Sequence, residues 1–563
     1  MTRLAPIPLL APLVLALASA APAQQPSPQL PITNYIHQSW DHLQRSMLDC
    51  NSFPQTPAQP APVLYLPEEQ HLTPELRELQ QRCHVNILHL PHRIHHEAEL
   101  QPSDITTPGL LYLPNPYVVP GGFFNEMFGW DSYFILLGEL ADNRVDLARG
   151  TVENFFYEID HYGAVLNANY TDFLTRSQPP FLSSMVLAVY NAELPTDPKE
   201  ARKFLQHALP YLLRDHNLWV TAPHLDTTTG LSRYTDLGHG PAPEVLHSDY
   251  YPYVIHWLLA HPSAYNATYL QRSPACITTT CAQPNAEGYI LTPSFYDGDR
   301  AMRESGFDTS FRFGPFSGST QDYAPVGLNS LLYKYERDLA FITATLGDPA
   351  DAIIWSTTAG DRLHAINSLL WDDTAGQYFD LNLRTGKRST YHYLTTFYPL
   401  WAGVASPTKA ARVVDALPLY ERPGGLAMST FNSGEQWDLP YGWAPTNWLA
   451  TIGLLRYGYV GDALRISRRF TTTIATNYAH DGTIREKYDV VDSSANVHIA
   501  AGYKENVIGF GWTNAVYIGM QQLLHSAQLL SAPQQPPPPD SQPLSSHPPA
   551  AVPPSASPPS PDQ

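Results

Sequence analysis

Residues 436–445 combine an acidic side chain with aromatic side chains in a short, rigid run. Asp438 stands between Trp437 and Trp443, and two prolines restrict the backbone of the run. An indole ring covers the flat C–H faces of a sugar, and a carboxylate accepts hydrogen bonds from the hydroxyl groups at its rim. The run therefore predicts a carbohydrate-binding site.

Three further segments have the same mixture of acidic and aromatic residues. They are residues 120–133, residues 303–308 and residues 485–489. Because these segments are spread over most of the chain, we expect the fold to bring them together into one large site.

Paired carboxyl groups in such a site could cleave a glycosidic bond. One protonated carboxyl donates to the leaving oxygen, while a second, ionised carboxylate activates water or attacks directly. Asp308 and Glu486 suit these roles, and the neighbouring Arg485 and Lys487 favour an ionised Glu486. Most acidic residues are solvated surface groups, so residue types alone leave that alternative open.

The elements that must position these segments are mostly helical. Apolar residues recur at helical spacing and strand-like alternation is scarce. The predicted helices cover residues 145–159, 328–342, 361–371, 407–417, 445–457, 461–478 and 513–530. We expect every motif to lie in a loop between helices, and the fold to be all-α, a toroid of helical hairpins. An irregular all-α domain and an α-solenoid are the alternatives, although no repeat of fixed period supports a solenoid.

Composition divides the chain into one large domain with two flanking regions. Residues 33–528 contain no Pro-rich or Gly/Ser-rich linker and are read as a single domain. Residues 24–32 are predicted to be a mobile lead-in. Residues 529–563 are rich in proline and serine, so we expect a disordered tail.

The N-terminus has the pattern of an export signal. Arg3 precedes an apolar stretch at residues 9–17, and small residues follow as cleavage candidates, which predicts a signal peptide over residues 1–23. The apolar stretch is shorter than the roughly 20 residues of a membrane span. The sequence therefore predicts an exported protein, periplasmic or secreted, without a membrane segment.

Four cysteines allow two disulfides in an oxidising compartment. Sequence proximity favours Cys50–Cys83 and Cys276–Cys281, and four free thiols are the alternative.

The charge balance argues against polyanionic partners. The chain has 33 Lys and Arg against 52 Asp and Glu, a net charge of −19. Such an acidic surface repels nucleic acid and anionic membranes. We expect a monomer whose partner is a small-molecule sugar.

A metal site is one interpretation of a cluster of possible ligands at His92, His95, His96 and Glu97. No further set of ligands is evident, so a solvated helix face is preferred and we predict neither a metal nor another cofactor.

Several long motifs together resemble the trehalase family of glycoside hydrolases. Residues 436–445 fit one family signature at every defined position, and residues 120–133 fit the other at most positions. Further family-like segments follow in the right order at residues 176–181, 328–331, 423–426 and 509–514. The resemblance runs from about Ile36 to Trp512, which makes it far more specific than any single motif.

The resemblance implies an (α/α)6 barrel that hydrolyses α,α-trehalose to glucose with inversion of configuration. It assigns the general acid to Asp308 and the general base to Glu486, and it needs no metal. The sugar-binding positions that it implies are Phe124, Trp130, Asp131, Asn167, Arg176, Gln178, Glu244 and Trp437.

This chain departs from the family pattern at several sugar-binding positions. Phe123 and Ala242 stand where the family has arginine, and Phe128 stands where it has tyrosine. Residues 496–505 replace a glycine-rich loop that carries a binding glutamate, and the sequence leaves open whether Glu505 stands in for that glutamate. These changes leave three readings: a trehalose hydrolase, a related inverting hydrolase of another disaccharide or glucosyl glycoside, and a sugar-binding barrel without activity. Retention of Asp308 and Glu486 argues against the last.

Overall fold

The computed structural model describes residues 30–55, 61–246, 248–273, 276, 288–501 and 503–531. The predicted signal peptide, residues 24–29 of the lead-in and the Pro-rich tail beyond residue 531 lie outside the described residues. So does Cys281, and with it the predicted second disulfide.

The described residues are predominantly helical. The α-helices in chain order are α1 Ile32–Leu43, α2 Pro74–Cys83, α3 Gly129–Ala141, α4 Val145–His161, α5 Leu182–Glu193, α6 Pro198–Trp219, α7 Tyr250–Ala260, α8 Asn266–Tyr269, α9 Pro293–Glu304, α10 Val326–Leu346, α11 Pro349–Ala365, α12 Tyr398–Ala402, α13 Pro407–Asp415, α14 Ala444–Arg456, α15 Val460–Asp481 and α16 Gly511–Ser531. Each predicted helix is confirmed, except that the one over residues 361–371 is the end of α11 followed by a π-helical turn at Ile366–Leu370.

Six of these helices form a closed inner ring. Helices α3, α5, α10, α12 and α14 contact one another in this order. Helix α16 closes the ring, because its Gly519 lies against Trp448 of α14 and its Ala515 lies against Gly138 of α3.

An outer helix accompanies each inner one. Helices α4, α6, α11 and α15 pack on the inner helix that precedes them, and α13 follows α12 in the chain. Helix α1 lies outside α16, where the Asn514 amide donates to the Ser39 hydroxyl (2.9 Å). The fold is therefore the expected (α/α)6 barrel.

The ends of several helices follow from local sequence. Helix α6 begins at Pro198, and the Asp197 side chain accepts from the backbone N–H groups of Lys199 and Glu200. Helix α10 ends at Leu346, and the next residue, Gly347, adopts the left-handed conformation (φ 88°) that glycine reaches without steric cost.

The strands are short and lie between the helices. They are β1 Gln44–Arg45, β2 Val63–Leu66, β3 Asn86–His89, β4 Leu110–Leu111, β5 Tyr117–Val118, β6 Leu225–Asp226, β7 Leu231–Ser232, β8 Leu270–Arg272, β9 Tyr289–Leu291, β10 Tyr323–Ala324, β11 Trp371–Asp372, β12 Gln377–Tyr378, β13 Leu381–Asn382, β14 Lys387–Arg388, β15 Glu421–Arg422, β16 Gly425–Leu426, β17 Tyr441–Trp443 and β18 Lys487–Asp489. Strand β2 pairs in parallel with β3 and β4. The antiparallel pair of β17 and β18 sets Trp443 opposite Lys487 and so joins two of the motif segments.

The expectation that every motif lies in a loop is wrong in part. Trp130 and Asp131 lie in the first turn of α3, and Arg303 lies in the last turn of α9. Trp443 and Lys487 belong to the paired strands β17 and β18. The three-residue strands are too short to show an alternating pattern, and α3 is buried on nearly all sides, so it has no amphipathic period.

The predicted disulfide between Cys50 and Cys83 is confirmed. Their Cα atoms are 5.2 Å apart, and the bond joins the segment after α1 to the last residue of α2.

The histidine cluster does not lie on a helix face, contrary to the expectation. Residues 91–101 form turns, because Ala98 adopts a left-handed conformation (φ 65°) and the Glu99 carboxylate accepts from the backbone N–H of His95. In the described ranges, no group of three or more His, Cys, Asp or Glu side chains is arranged to hold a metal ion. Among the described helices, none is long and apolar enough to cross a membrane.

The seam between α1, α3 and α16 gives a test of the closed ring. A Cβ added at Gly138 would lie 2.7 Å from Ala515 Cβ and 2.8 Å from the Trp40 ring. We expect Gly138→Ala to destabilise the protein by about 1–3 kcal/mol through overpacking, measured as a lower denaturation midpoint.

Gly360→Ala is the matched control for this substitution. Gly360 lies in α11 with no atom within 4 Å of the added Cβ. Here we expect no loss, and a gain of up to ~1 kcal/mol from the better helix former. An unchanged midpoint for Gly138→Ala would contradict the close approach of α3 to α16.

Candidate active site

A cavity of about 580 Å³ lies where the inner helices α3, α14 and α16 begin. Its volume is typical of a small-molecule site. All ten residues proposed from the sequence line this cavity. They are Phe124, Trp130, Asp131, Asn167, Arg176, Gln178, Glu244, Asp308, Trp437 and Glu486.

The start of α3 is tied to the segment that carries several polar lining residues. The backbone N–H of Trp130 donates to the Gln178 side-chain oxygen (2.9 Å). The N–H of Gly129 donates to the Asn167 carbonyl (3.1 Å), and the N–H of Asn167 donates to the Arg176 carbonyl (2.8 Å). These bonds use the free N–H groups of a helix start to fix the site.

Tryptophans form one wall of the cavity. Trp437 stacks on Trp443 with ring centres 3.8 Å apart and an angle of 5°. Trp130 lies 5.7 Å from Trp437, and Trp512 lies 5.7 Å from Trp443. Trp437 and Trp443 are both buried and both line the cavity, so each packs in the core and also faces the site.

Asp308 is held just beyond the end of α9. The chain turns at Gly306 (φ 72°), where an added Cβ would lie 2.9 Å from the Trp130 ring. The Asp308 side chain is 35% exposed towards the cavity, and Arg303 Nη1 lies 3.9 Å from its Oδ2. Burial raises the pKa of Asp308 to about 6, although Arg303 opposes the rise.

Glu486 is buried and accepts from two side chains. The Tyr503 hydroxyl donates to Oε1 (2.6 Å), and the Lys487 ammonium donates to Oε2 (2.5 Å). The expectation that Arg485 also supports the charge is wrong, because its guanidinium pairs with Asp481 (3.1 Å). Of the two basic neighbours, Arg485 and Lys487, only Lys487 places its positive charge beside the Glu486 carboxylate.

A third carboxyl, that of Asp131, faces the same cavity. Burial, and then the charges of Glu486 and Asp308, raise the pKa of Asp131 well above its usual range. The cavity therefore combines carboxyls that favour the protonated form with one that is held by two donors. That division is what acid–base cleavage of a glycosidic bond requires.

Arg303 is a site residue to which the sequence analysis gave no role. Arg176 Nη2 lies 2.6 Å and Arg303 Nη1 lies 3.7 Å from Glu244 Oε1. Burial alone would raise the pKa of Glu244, but the two guanidinium groups hold it below its ordinary value. The sequence signal for Arg303 was its position five residues before Asp308, in the same motif segment.

The structure accounts for the missing arginine at Ala242. Ala242 is fully buried and does not line the cavity, and its N–H donates to the Tyr251 hydroxyl (2.7 Å). Because Arg303 already reaches Glu244, a guanidinium beside this carboxylate is not lost.

The other departures from the family pattern gather at the cavity mouth. Phe123 is 57% exposed and packs on Phe124 (4.4 Å) and Tyr503 (5.7 Å). Phe128 also lines the cavity. From residues 496–505, Tyr503 lines the cavity, whereas the exposed Glu505 does not, so Glu505 does not replace the family glutamate.

A double ring of helices around a cavity lined by acids and tryptophans defines a glycoside hydrolase of the (α/α)6-barrel class. The model of the Trehalase family matches residues 23–525. The chain belongs to the trehalase family.

Similar proteins come from fungi. A probable trehalase of Eremothecium gossypii is 35% identical over 541 residues, which cover 86% of this chain and 71% of that protein. The cytosolic neutral trehalase of Saccharomyces cerevisiae is 36% identical over 82% of this chain and 66% of its own length. The chain thus spans about two thirds of the length of these relatives.

A solved structure has the same fold. The neutral trehalase Nth1 from Saccharomyces cerevisiae superposes with a TM-score of 0.71 at 33% identity, covering 89% of this chain and 95% of that one.

The comparisons contradict the predicted export. Relatives in Saccharomyces cerevisiae, Pyricularia oryzae and Neurospora crassa are named cytosolic neutral trehalases. The prediction of a periplasmic or secreted protein is therefore wrong. A short apolar run followed by alanines is a weak compositional signal, and residues 9–17 lie outside the described part of the chain.

The pKa of Asp308 predicts how activity depends on pH. If Asp308 must be protonated to donate, kcat/KM should fall as the pH rises through about 6. Arg303 lowers this pKa, so Arg303→Gln should move the falling limb to higher pH. The measurement is kcat/KM from pH 4 to 9.

Arg384→Gln removes the same charge at a surface ion pair with Asp322 and serves as the control. Its falling limb should coincide with that of the unmodified protein. A limb that stays in place in Arg303→Gln would show that Asp308 does not set it.

Proposed function

We propose that this protein hydrolyses α,α-trehalose to two glucose molecules with inversion of configuration, using Asp308 as general acid and Glu486 as general base. The observation that carries the proposal is the unequal treatment of these two carboxyls in one cavity. Burial favours a proton on Asp308, whereas Tyr503 and Lys487 donate to Glu486. The names of the related fungal trehalases support trehalose as the substrate.

The division of roles follows from the two environments. With a pKa of about 6, Asp308 retains its proton over the weakly acidic range and can transfer it to the bridging oxygen. An ionised Glu486 can accept a proton from water as that water attacks the anomeric carbon. In an inverting enzyme this water lies between carboxyls roughly 6.5–9.5 Å apart.

The other lining residues suit recognition of a sugar. The indole faces of Trp437 and its neighbours can cover the C–H faces of a glucose ring. Arg176, Glu244 and Arg303 form a charged group beside them, which can donate to and accept from sugar hydroxyls.

Proton NMR of the earliest products tests the reaction and its stereochemistry. From an α,α-linked substrate, inversion releases equal amounts of α- and β-glucose, because one unit is inverted and the other leaves unchanged. Early product that is entirely α would mean retention. Absence of glucose from trehalose would remove the proposed substrate.

Asp308→Asn and Glu486→Gln test the assigned roles. Each should lower kcat by at least ~10²–10⁴-fold, because each removes a proton-transfer group. The exposed Asp373→Asn is the control and should keep normal turnover, since its side chain lies on the surface. A variant that melts normally and turns over normally would lose its assigned role.

A related glucoside with an apolar second unit is the alternative substrate, and Phe123 is the observation that favours it. The mouth of the cavity presents the Phe123, Phe124 and Tyr503 rings where the family has a guanidinium. An apolar wall discriminates weakly between second units, whereas a site with a hydrogen bond to a hydroxyl discriminates strongly.

Phe123→Arg tests this alternative more sharply than a double substitution that includes Ala242. Phe123 is exposed and has room for the longer side chain, whereas an arginine at the buried Ala242 would displace Tyr251. If the aromatic rings at the cavity mouth limit trehalose use, Phe123→Arg should raise kcat/KM for trehalose, relative to that for an aryl α-glucoside, by ~10-fold or more.

Phe123→Leu removes the ring without adding charge and is the matched control. Its ratio should not move towards trehalose. Efficient and selective trehalose hydrolysis by the unmodified protein, unchanged in Phe123→Arg, would end the case for the alternative substrate.

A further inference from the structure

We infer that Tyr503 is a positioning residue for the general base: its hydroxyl fixes the Glu486 carboxylate and favours the ionised form. The inference rests on the proposed function, in which Glu486 activates water. It concerns a segment, residues 496–505, in which this chain departs from the family pattern.

Tyr503 contacts both the base and the cation beside it. Its hydroxyl donates to Glu486 Oε1 (2.6 Å), while Lys487 donates to Oε2. The Lys487 ammonium also lies 4.5 Å from the centre of the Tyr503 ring and 4.8 Å from that of Trp443. Both oxygens of the Glu486 carboxylate therefore accept hydrogen bonds, and the two donor residues, Tyr503 and Lys487, also contact each other.

The ring of Tyr503 is held independently of its hydroxyl. It meets the rings of Phe123 (5.7 Å) and Phe124 (6.0 Å) edge to face. The next residue, Lys504, lies 3.9 Å from Asp249 across an exposed ion pair. The aromatic contacts therefore place the hydroxyl, and removal of the hydroxyl alone need not move the ring.

The charges around Glu486 explain why a donor is needed. Asp131 and Asp308 line the same cavity as Glu486, so further carboxyl groups lie on the side of the cavity that Glu486 faces. Lys487 and Tyr503 favour the ionised form of Glu486, since both donate to the carboxylate. From the adjoining helix α16, the Trp512 indole donates only to the Glu486 backbone carbonyl (3.1 Å).

The phenol acts by holding its proton and not by transferring it. Burial, and then the charge of Glu486, raise the pKa of Tyr503 well above its usual range. A hydroxyl that stays protonated stabilises the carboxylate form of its acceptor and fixes the plane of the carboxyl group. The remaining lone pairs of Glu486 are then free to accept from the attacking water.

Tyr503→Phe removes the donor and keeps the ring contacts. The readout is the pH profile of kcat/KM on trehalose and on α-D-glucosyl fluoride, whose leaving group needs no proton from Asp308. We expect kcat/KM at the optimum to fall about tenfold, and the rising acidic limb to move up by about one pH unit, on both substrates.

Tyr441→Phe is the matched control. The Tyr441 hydroxyl donates to the His498 carbonyl (2.6 Å) and accepts from its N–H (3.0 Å), so it anchors the same segment without touching Glu486. Its acidic limb should stay in place even if its rate falls. Replacement of Tyr503 by 3-fluorotyrosine, a stronger donor, should move the limb to lower pH.

The outcomes separate this inference from the proposed function. If the acidic limb does not move in Tyr503→Phe, the positioning role is overturned, whatever the rate of that variant. An equal shift in Tyr441→Phe would overturn it as well. If Tyr503→Phe fails to fold, a 3-fluorotyrosine limb that stays in place overturns it instead. An unmodified protein that releases no glucose from trehalose would defeat the proposed function itself.

Discussion

Six carboxyl groups line the cavity, among them Asp131, Asp308 and Glu486. Like charges that are close together in a low-dielectric site cannot all ionise at neutral pH. The molecule meets this constraint by giving each carboxyl different neighbours. Asp131 has burial and two acidic neighbours, Asp308 has burial relieved by Arg303, and Glu486 has two donors. Carboxyl groups of the same chemical type therefore have unequal environments in one cavity, which is what acid–base chemistry requires.

The barrel makes this arrangement rigid. The inner helices α3, α14 and α16 begin at the cavity, so the side chains at their starts come from distant parts of the chain. The pairing of β17 with β18 then fixes the tryptophan wall against the segment of Glu486. No single element carries the site, which explains why its motifs are short and far apart in the sequence.

The sequence predicted the all-α fold and many of the helices, because amphipathic periods are a strong local signal. The predicted stretches correspond to α4, α10, α13, α14, α15 and α16 and to the end of α11, but α6, with 22 residues, was not predicted. The family resemblance named ten residues that all line one cavity. Arg303 and Tyr503 were missed because their importance comes from distances to Glu244 and Glu486, which no local pattern encodes. The alanine at position 242 suggested that a guanidinium was missing from the site. The structure places the guanidinium of Arg303, from α9, beside Glu244 instead.

The closure of the ring between the two ends of the domain has a consequence for biosynthesis. The hydrogen bond between Ser39 and Asn514 spans 475 positions, and Trp512, which lines the cavity, opens the final inner helix. A nascent chain cannot complete the barrel until α16 has been synthesised. Helix α1 is made much earlier and lacks its contact with α16 until then. The barrel, and the cavity with it, can therefore form only after nearly the whole domain has been synthesised.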